Sequence, residues 1–155
     1  MKKVLFLFVV ILMSFWVSAQ AQETISLNDF FTYSSDGGCY QLLKAQDIVS
    51  KLKSKGYELT SSSKVKDYVY DEAKGDCVEA LVPLNVFSKN GINVSFINNI
   101  FKEIEFANES ELKNFLLEMK AKGWEGEENI YEWQDFMQPI MALVEGLSIY
   151  FDVGE

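Results

Sequence analysis

Carboxylates are the only acid–base side chains that this chain carries in quantity. Its 155 residues include 23 Asp and Glu and 14 Lys, with no His and no Arg. Glycoside hydrolysis is the enzymatic chemistry such a set can support. It needs two carboxyl groups across one cleft, one of them with its pKa raised by burial. Glu79 and Glu145 are the best-placed pair, each beside apolar strand residues, Val78 and Ala80 in one case and Val144 and Gly146 in the other. Those same neighbours set both glutamates on the wet side of a strand, where a carboxylate is simply solvated. Ser61-Ser62-Ser63 followed by Lys64 has the composition of a serine/lysine pair, but the lysine lies in a polar stretch and that mechanism needs a buried amine. The acidic stretches Asp71–Asp76 and Glu125–Asn129 offer oxygen ligands without the spacing of an EF-hand loop.

The absences exclude whole classes. Without His there is no Ser-His-Asp or Cys-His nucleophile and no imidazole zinc site, and two cysteines cannot make a four-thiolate one. Without Arg there is no bidentate clamp for phosphate. The net charge of −9 repels nucleic acid, and no lysine cluster offsets it. No cofactor and no metal are expected. A cationic protein or peptide, or a glycan, is the partner this composition suits.

Two other residue sets stand out. Cys39 and Cys77 are an even pair, and a disulfide between them would close a loop worth about 4 kcal/mol in the chain-entropy model. The aromatic pairs Tyr68/Tyr70 and Tyr131/Trp133 have members two apart, so on strands each pair projects from one side. Such rings either stack on sugars and anchor protein interfaces or fill a core. They are the candidate binding residues.

The elements that must position these groups begin after a leader. Lys2 and Lys3, the apolar run Val4–Val17 and Ser18-Ala19-Gln20-Ala21 have the three-part layout of a secretory signal peptide, residues 1–21. The run is shorter than the roughly 20 residues that cross a bilayer. Neither cysteine follows the leader, so no lipid anchor is expected. Export to the periplasm or the extracellular space leaves residues 22–155 as one domain, with two lysines fewer and a net charge near −11.

Within that domain a pattern recurs at an offset of 67 residues. Ala45, Ile48, Val49 and Leu52 form an amphipathic helical stripe, and Leu112, Phe115, Leu116 and Met119 repeat it. Both stripes run into Lys-x-Lys-Gly-aromatic-Glu, with Gly56 and Gly123 as helix stops. Asn108 caps the second helix, with Glu111 placed to reach back as in a capping box. Tyr68-Val69-Tyr70 and Val78–Leu81 resemble Tyr131–Trp133 and Val144–Leu147 in the same order. Alternation in Ile92–Ile97, Glu103–Phe106 and Leu147–Val153 predicts antiparallel strands, Asn90-Gly91 a hairpin, and Pro83 an edge or a bulge.

The resulting expectation is an α+β fold: an antiparallel sheet with two amphipathic helices packed on one face, built from two tandem pseudo-repeats, about 24–88 and 92–155. Ser26–Phe31 opens a short helix or forms an edge strand. The expected function is that of an exported, soluble, non-catalytic binding protein, of inhibitor or immunity type, for a cationic protein. The alternative is a small glycan-binding module or a carboxylate-dependent glycan-active enzyme.

Overall fold

The computed structural model describes residues 24–34, 39–133 and 140–153. Residues 1–21, expected to be a leader, lie outside the described residues. A short 3₁₀ turn, Leu27–Asp29, opens the described chain, followed by β1 (Phe31–Ser34) and β2 (Cys39–Leu42), which pair only with each other. Helix α1 (Ala45–Ser54) leads into four strands, β3 (Glu58–Asp71), β4 (Asp76–Lys89), β5 (Ile92–Ile97) and β6 (Ile100–Glu105). Helix α2 (Glu109–Ala121) leads into four more, β7 (Glu125–Glu127), β8 (Ile130–Trp133), β9 (Ile140–Glu145) and β10 (Ser148–Val153). The eight form one antiparallel sheet in the order β3-β4-β5-β6-β10-β9-β8-β7. Each helix is thus followed by a four-stranded meander, and the two meanders join through their last strands.

The helix ends follow from local chemistry. Gly56 and Gly123 have φ of +84° and +92°, where a Cβ is strained. Each lets the next residue turn back: Tyr57 N–H donates to Leu52 O at 3.0 Å and Trp124 N–H to Met119 O at 3.1 Å. Asn108 Oδ1 accepts the Glu111 N–H at 3.1 Å, the forward half of a capping box. Asn90 and Gly91, with φ of 54° and 83°, make the tight turn between β4 and β5.

One apolar cluster collects Ile48 and Leu52 of α1, Leu112, Phe115 and Met119 of α2, and Val94, Ile104, Ile149 and Phe151 of the sheet. Phe30 stacks on Phe101 with ring centroids 4.5 Å apart, and Phe31 meets Trp124 edge to face at 5.6 Å. Such aromatic pairs add to the area term.

Here the expected fold class needs correction. More than half of the described residues lie in strands, and the two helices do not form a layer on one face of the sheet. The physical reason is the segment 24–31. Ile25, Leu27, Phe30 and Phe31 are buried, and both helices meet the 3₁₀ turn. Lys51 Nζ donates to Asn28 O at 2.6 Å, Lys55 pairs with the buried Asp29 at 2.7 Å, and Glu118 Oε2 accepts the Leu27 N–H at 3.0 Å. The wedge satisfies apolar stripes that sheet contact alone was expected to satisfy.

The element order helix-then-four-strands occurs over Ala45–Glu105 and again over Glu109–Val153. The helix endings correspond, whereas the later matches do not: Tyr68–Tyr70 lie on β3, a first strand, and Tyr131–Trp133 on β8, a second one. The long β3–β4 hairpin, with 14 residues per strand against three and four in β7 and β8, breaks the register between the halves.

Candidate functional site

Strand β5 pairs with β4 only over Leu84–Lys89. Beyond Pro83 the strands β3 and β4 pair with each other alone, from Lys64↔Pro83 to Asp71↔Asp76. Pro83 therefore sits where β4 leaves the sheet and needs no donor toward β5; its carbonyl accepts the Asn98 N–H at 2.8 Å. The result is a two-stranded arm roughly 25 Å long. Its register places Lys66 opposite Leu81, Tyr68 opposite Glu79 and Tyr70 opposite Cys77, all on one side.

That side is wet and partly apolar. Tyr68, Tyr70 and Leu81 are 70%, 64% and 64% exposed. Lys66 Nζ holds Glu79 Oε1 at 2.6 Å across the arm, an exposed pair of small energetic weight. On the opposite side Val65, Val69 and Val78 are half-buried and Val82 is buried.

The four aromatic candidates separate. Tyr131 is buried in the core beneath Lys120, whose Nζ lies 5.5 Å from the ring centroid, and Trp133 is half-buried against the same cluster. Six strand spacings, roughly 29 Å along the sheet, part β3 from β8. Tyr68 and Tyr70 are thus surface residues, whereas Tyr131 and Trp133 serve the core.

Glu79 and Glu145 separate too. They stand on β4 and β9, four spacings or about 19 Å apart, too far to flank one glycosidic bond. Cys77 is a free, exposed thiol, so the bridge expected between Cys39 and Cys77 is not formed in this structure; the Cys39 side chain lies outside the described residues. No group of three or more His, Cys, Asp or Glu placed to hold a metal occurs among the described residues. No helix among them is long and apolar enough to cross a membrane.

Sequence reasoning missed a second surface, on the open side of β8–β10. Ile130, Met141, Leu143 and Tyr150 are exposed there between 41% and 51%. The signal was the unbroken apolar run Ile140–Val144, which marks a strand with apolar residues on both sides. Ser148 Oγ donates to Glu103 Oε1 at 2.7 Å beside Tyr150. The Ser148 hydroxyl pulls the Tyr150 phenol down, but the Glu103 charge and partial desolvation outweigh it and leave its pKa above the ordinary value.

Near the 3₁₀ turn a cavity of about 150 Å³ is lined by Ser26, Phe106, Glu111, Phe115 and Glu118, among others. Glu111 Oε2 is buried without a hydrogen-bond partner. Burial, then the charges of Asp29 and Glu111, push the Tyr57 phenol up to about 12.

No protein-family model, curated protein or solved structure matches the chain. Fold and surface together define a β-sheet protein that presents an aromatic arm and an open sheet face.

Proposed function

We propose that this is an exported, non-catalytic binding protein for a cationic protein, in an inhibitor or immunity type of role, and that the β3–β4 arm is its principal contact. The observation that carries the reading is the exposure of Tyr68, Tyr70 and Leu81 together on one side of a two-stranded projection. Isolated surface apolar residues are ordinary; two adjacent tyrosines and a leucine on an arm are what interface anchors look like. The net charge of −9 supports a basic partner, because opposite charge speeds encounter and suppresses acidic competitors.

The test is capture from envelope extract at low and high salt, with the wild type and with Tyr68→Ser/Tyr70→Ser. The reading expects a basic protein that is recovered at low salt, weakened by high salt and lost with the double variant. Recovery that is insensitive to salt, confined to neutral or acidic proteins, or unchanged in the double variant would overturn it.

A further inference from the structure

The open face of β7–β10 carries an arrangement that folding alone does not favour. Three cross-strand rows define it. In the first, Glu127 stands opposite Ile130, Ile130 opposite Leu143, Leu143 opposite Tyr150, and Tyr150 opposite Glu103. In the second, Glu125 stands opposite Glu132, Glu132 opposite Met141, and Met141 opposite Asp152. The third sets Glu145 and Glu105 on either side of Ser148. Four exposed apolar or aromatic side chains thus lie in two rows that end in carboxylates, with Glu145 and Glu105 in the row beside them, and no lysine occurs in the three rows.

Directly opposed like charges destabilise a strand pair, and Glu125 faces Glu132 across β7–β8. The ion pairs among the described residues use Asp29, Asp71 and Glu79, none of them on this face. An open depression of about 760 Å³, lined by Glu125, Glu127, Ile130, Glu132 and Trp133, continues the acidic rim at the sheet edge. Uncompensated negative charge around an apolar centre is costly to the free protein and complementary to one kind of surface.

We infer that this face is a second docking surface, separate from the arm, for a segment of a basic protein that presents an apolar side chain flanked by lysine or arginine. The apolar side chain covers Ile130, Leu143 and Tyr150, while the flanking cations sit against Glu132 and its neighbours. The inference rests on the proposed role in binding a cationic protein, and it adds where and by what chemistry the partner is held. Apolar contact supplies most of the attraction, and the carboxylates select against acidic and neutral surfaces.

The experiment is an amide NMR titration of the folded, isotope-labelled protein with three short synthetic peptides: alternating Lys and Leu, alternating Lys and Ser, and alternating Glu and Leu. The Lys/Leu peptide is expected to shift the resonances of Ile130, Glu132, Met141, Leu143 and Tyr150. Its affinity should fall about fivefold between low and about 150 mM salt. Leu143→Ser should weaken it about tenfold, and Glu132→Gln should weaken it while raising Tm by about 2 °C, since a like-charge opposition is removed. That gain in stability separates loss of a docking carboxylate from loss of structure. Shifts confined to residues 64–83 would overturn the second surface and leave the arm standing. Equal binding of the Lys/Ser peptide would reduce the face to general charge attraction and overturn it as well. So would the absence of shifts at millimolar Lys/Leu peptide. The arm variant Tyr68→Ser/Tyr70→Ser is expected to leave this titration unchanged, so failure here and failure of the arm reading give different results.

Discussion

Truncating Phe115 to Ala probes the point where α2, the 3₁₀ turn and the sheet meet. Phe115 is 3% exposed; its ring lies 6.3 Å from Phe30, edge to face, and 5.3 Å from Phe106. Removing a buried phenylalanine ring costs about 3 to 5 kcal/mol, through lost transfer energy and the cavity left behind. Two ring contacts disappear with it, which argues for the upper half of that range. The site also opens onto the existing 150 Å³ cavity with its polar rim of Glu111 and Glu118, so collapse of the neighbours offers little relief. A loss of about 4 kcal/mol is expected. With a urea m-value of roughly 2 kcal/mol/M for a domain of this size, the midpoint falls by about 2 M at unchanged slope. Lys120→Ala is the companion variant: Lys120 is exposed, and its contact above the Tyr131 ring limits the loss to under about 1 kcal/mol. Comparable losses from the two substitutions would refute the assigned helix face.

Three further outcomes follow from particular groups. Tyr57 ionises near 10 when unfolded and at about 12 when folded, so its contribution is complete below pH 10. Above that the unfolded state sheds a proton that the folded state keeps, and stability falls by roughly 2 to 3 kcal/mol up to pH 12; denaturation of Tyr57→Phe over the same range should lack this part of the decline. Cys77 should react with a maleimide in the folded protein, as measured by mass; absence of label together with the mass deficit of a disulfide would contradict the free thiol. Asn108→Ala should lower stability by about 1 kcal/mol by leaving the Glu111 N–H uncapped, read from the same urea curves.

What was legible in the sequence was local. The stripes Ala45/Ile48/Val49/Leu52 and Leu112/Phe115/Leu116/Met119, the stops at Gly56 and Gly123, the Asn108 cap and the Asn90-Gly91 turn each depend on a few neighbouring residues, and all appear in the structure, with Ala45, Val49 and Leu116 only half-buried. Long-range order was not legible. Nothing in residues 24–31 announces that Leu27 and Phe30 stand between two helices, because four apolar side chains in a short polar stretch have no period. The placement of the four candidate aromatic residues was half legible. Tyr68/Tyr70 and Tyr131/Trp133 share a spacing, but spacing fixes only which side of a strand a ring takes, not whether anything covers that side. The lengthened β3–β4 hairpin carries Tyr68 and Tyr70 beyond the sheet, while Tyr131 remains over the core. The carboxylate-rimmed face was hidden because its residues come from five strands, β6 to β10, whose order the sequence does not state.

The central claim is that the arm touches a basic protein, and site-specific photo-crosslinking from position 68 tests it most directly. Tyr68 is 70% exposed, so a photoreactive phenylalanine there leaves the fold intact, and Thr60, exposed at the base of the same strand, serves as the comparison position. The account predicts a discrete protein adduct at position 68, absent at position 60, whose captured partner is basic and whose yield drops as salt rises. Adducts of equal yield at both positions, adducts to acidic proteins, or no protein adduct at position 68 in the producing cells would contradict it.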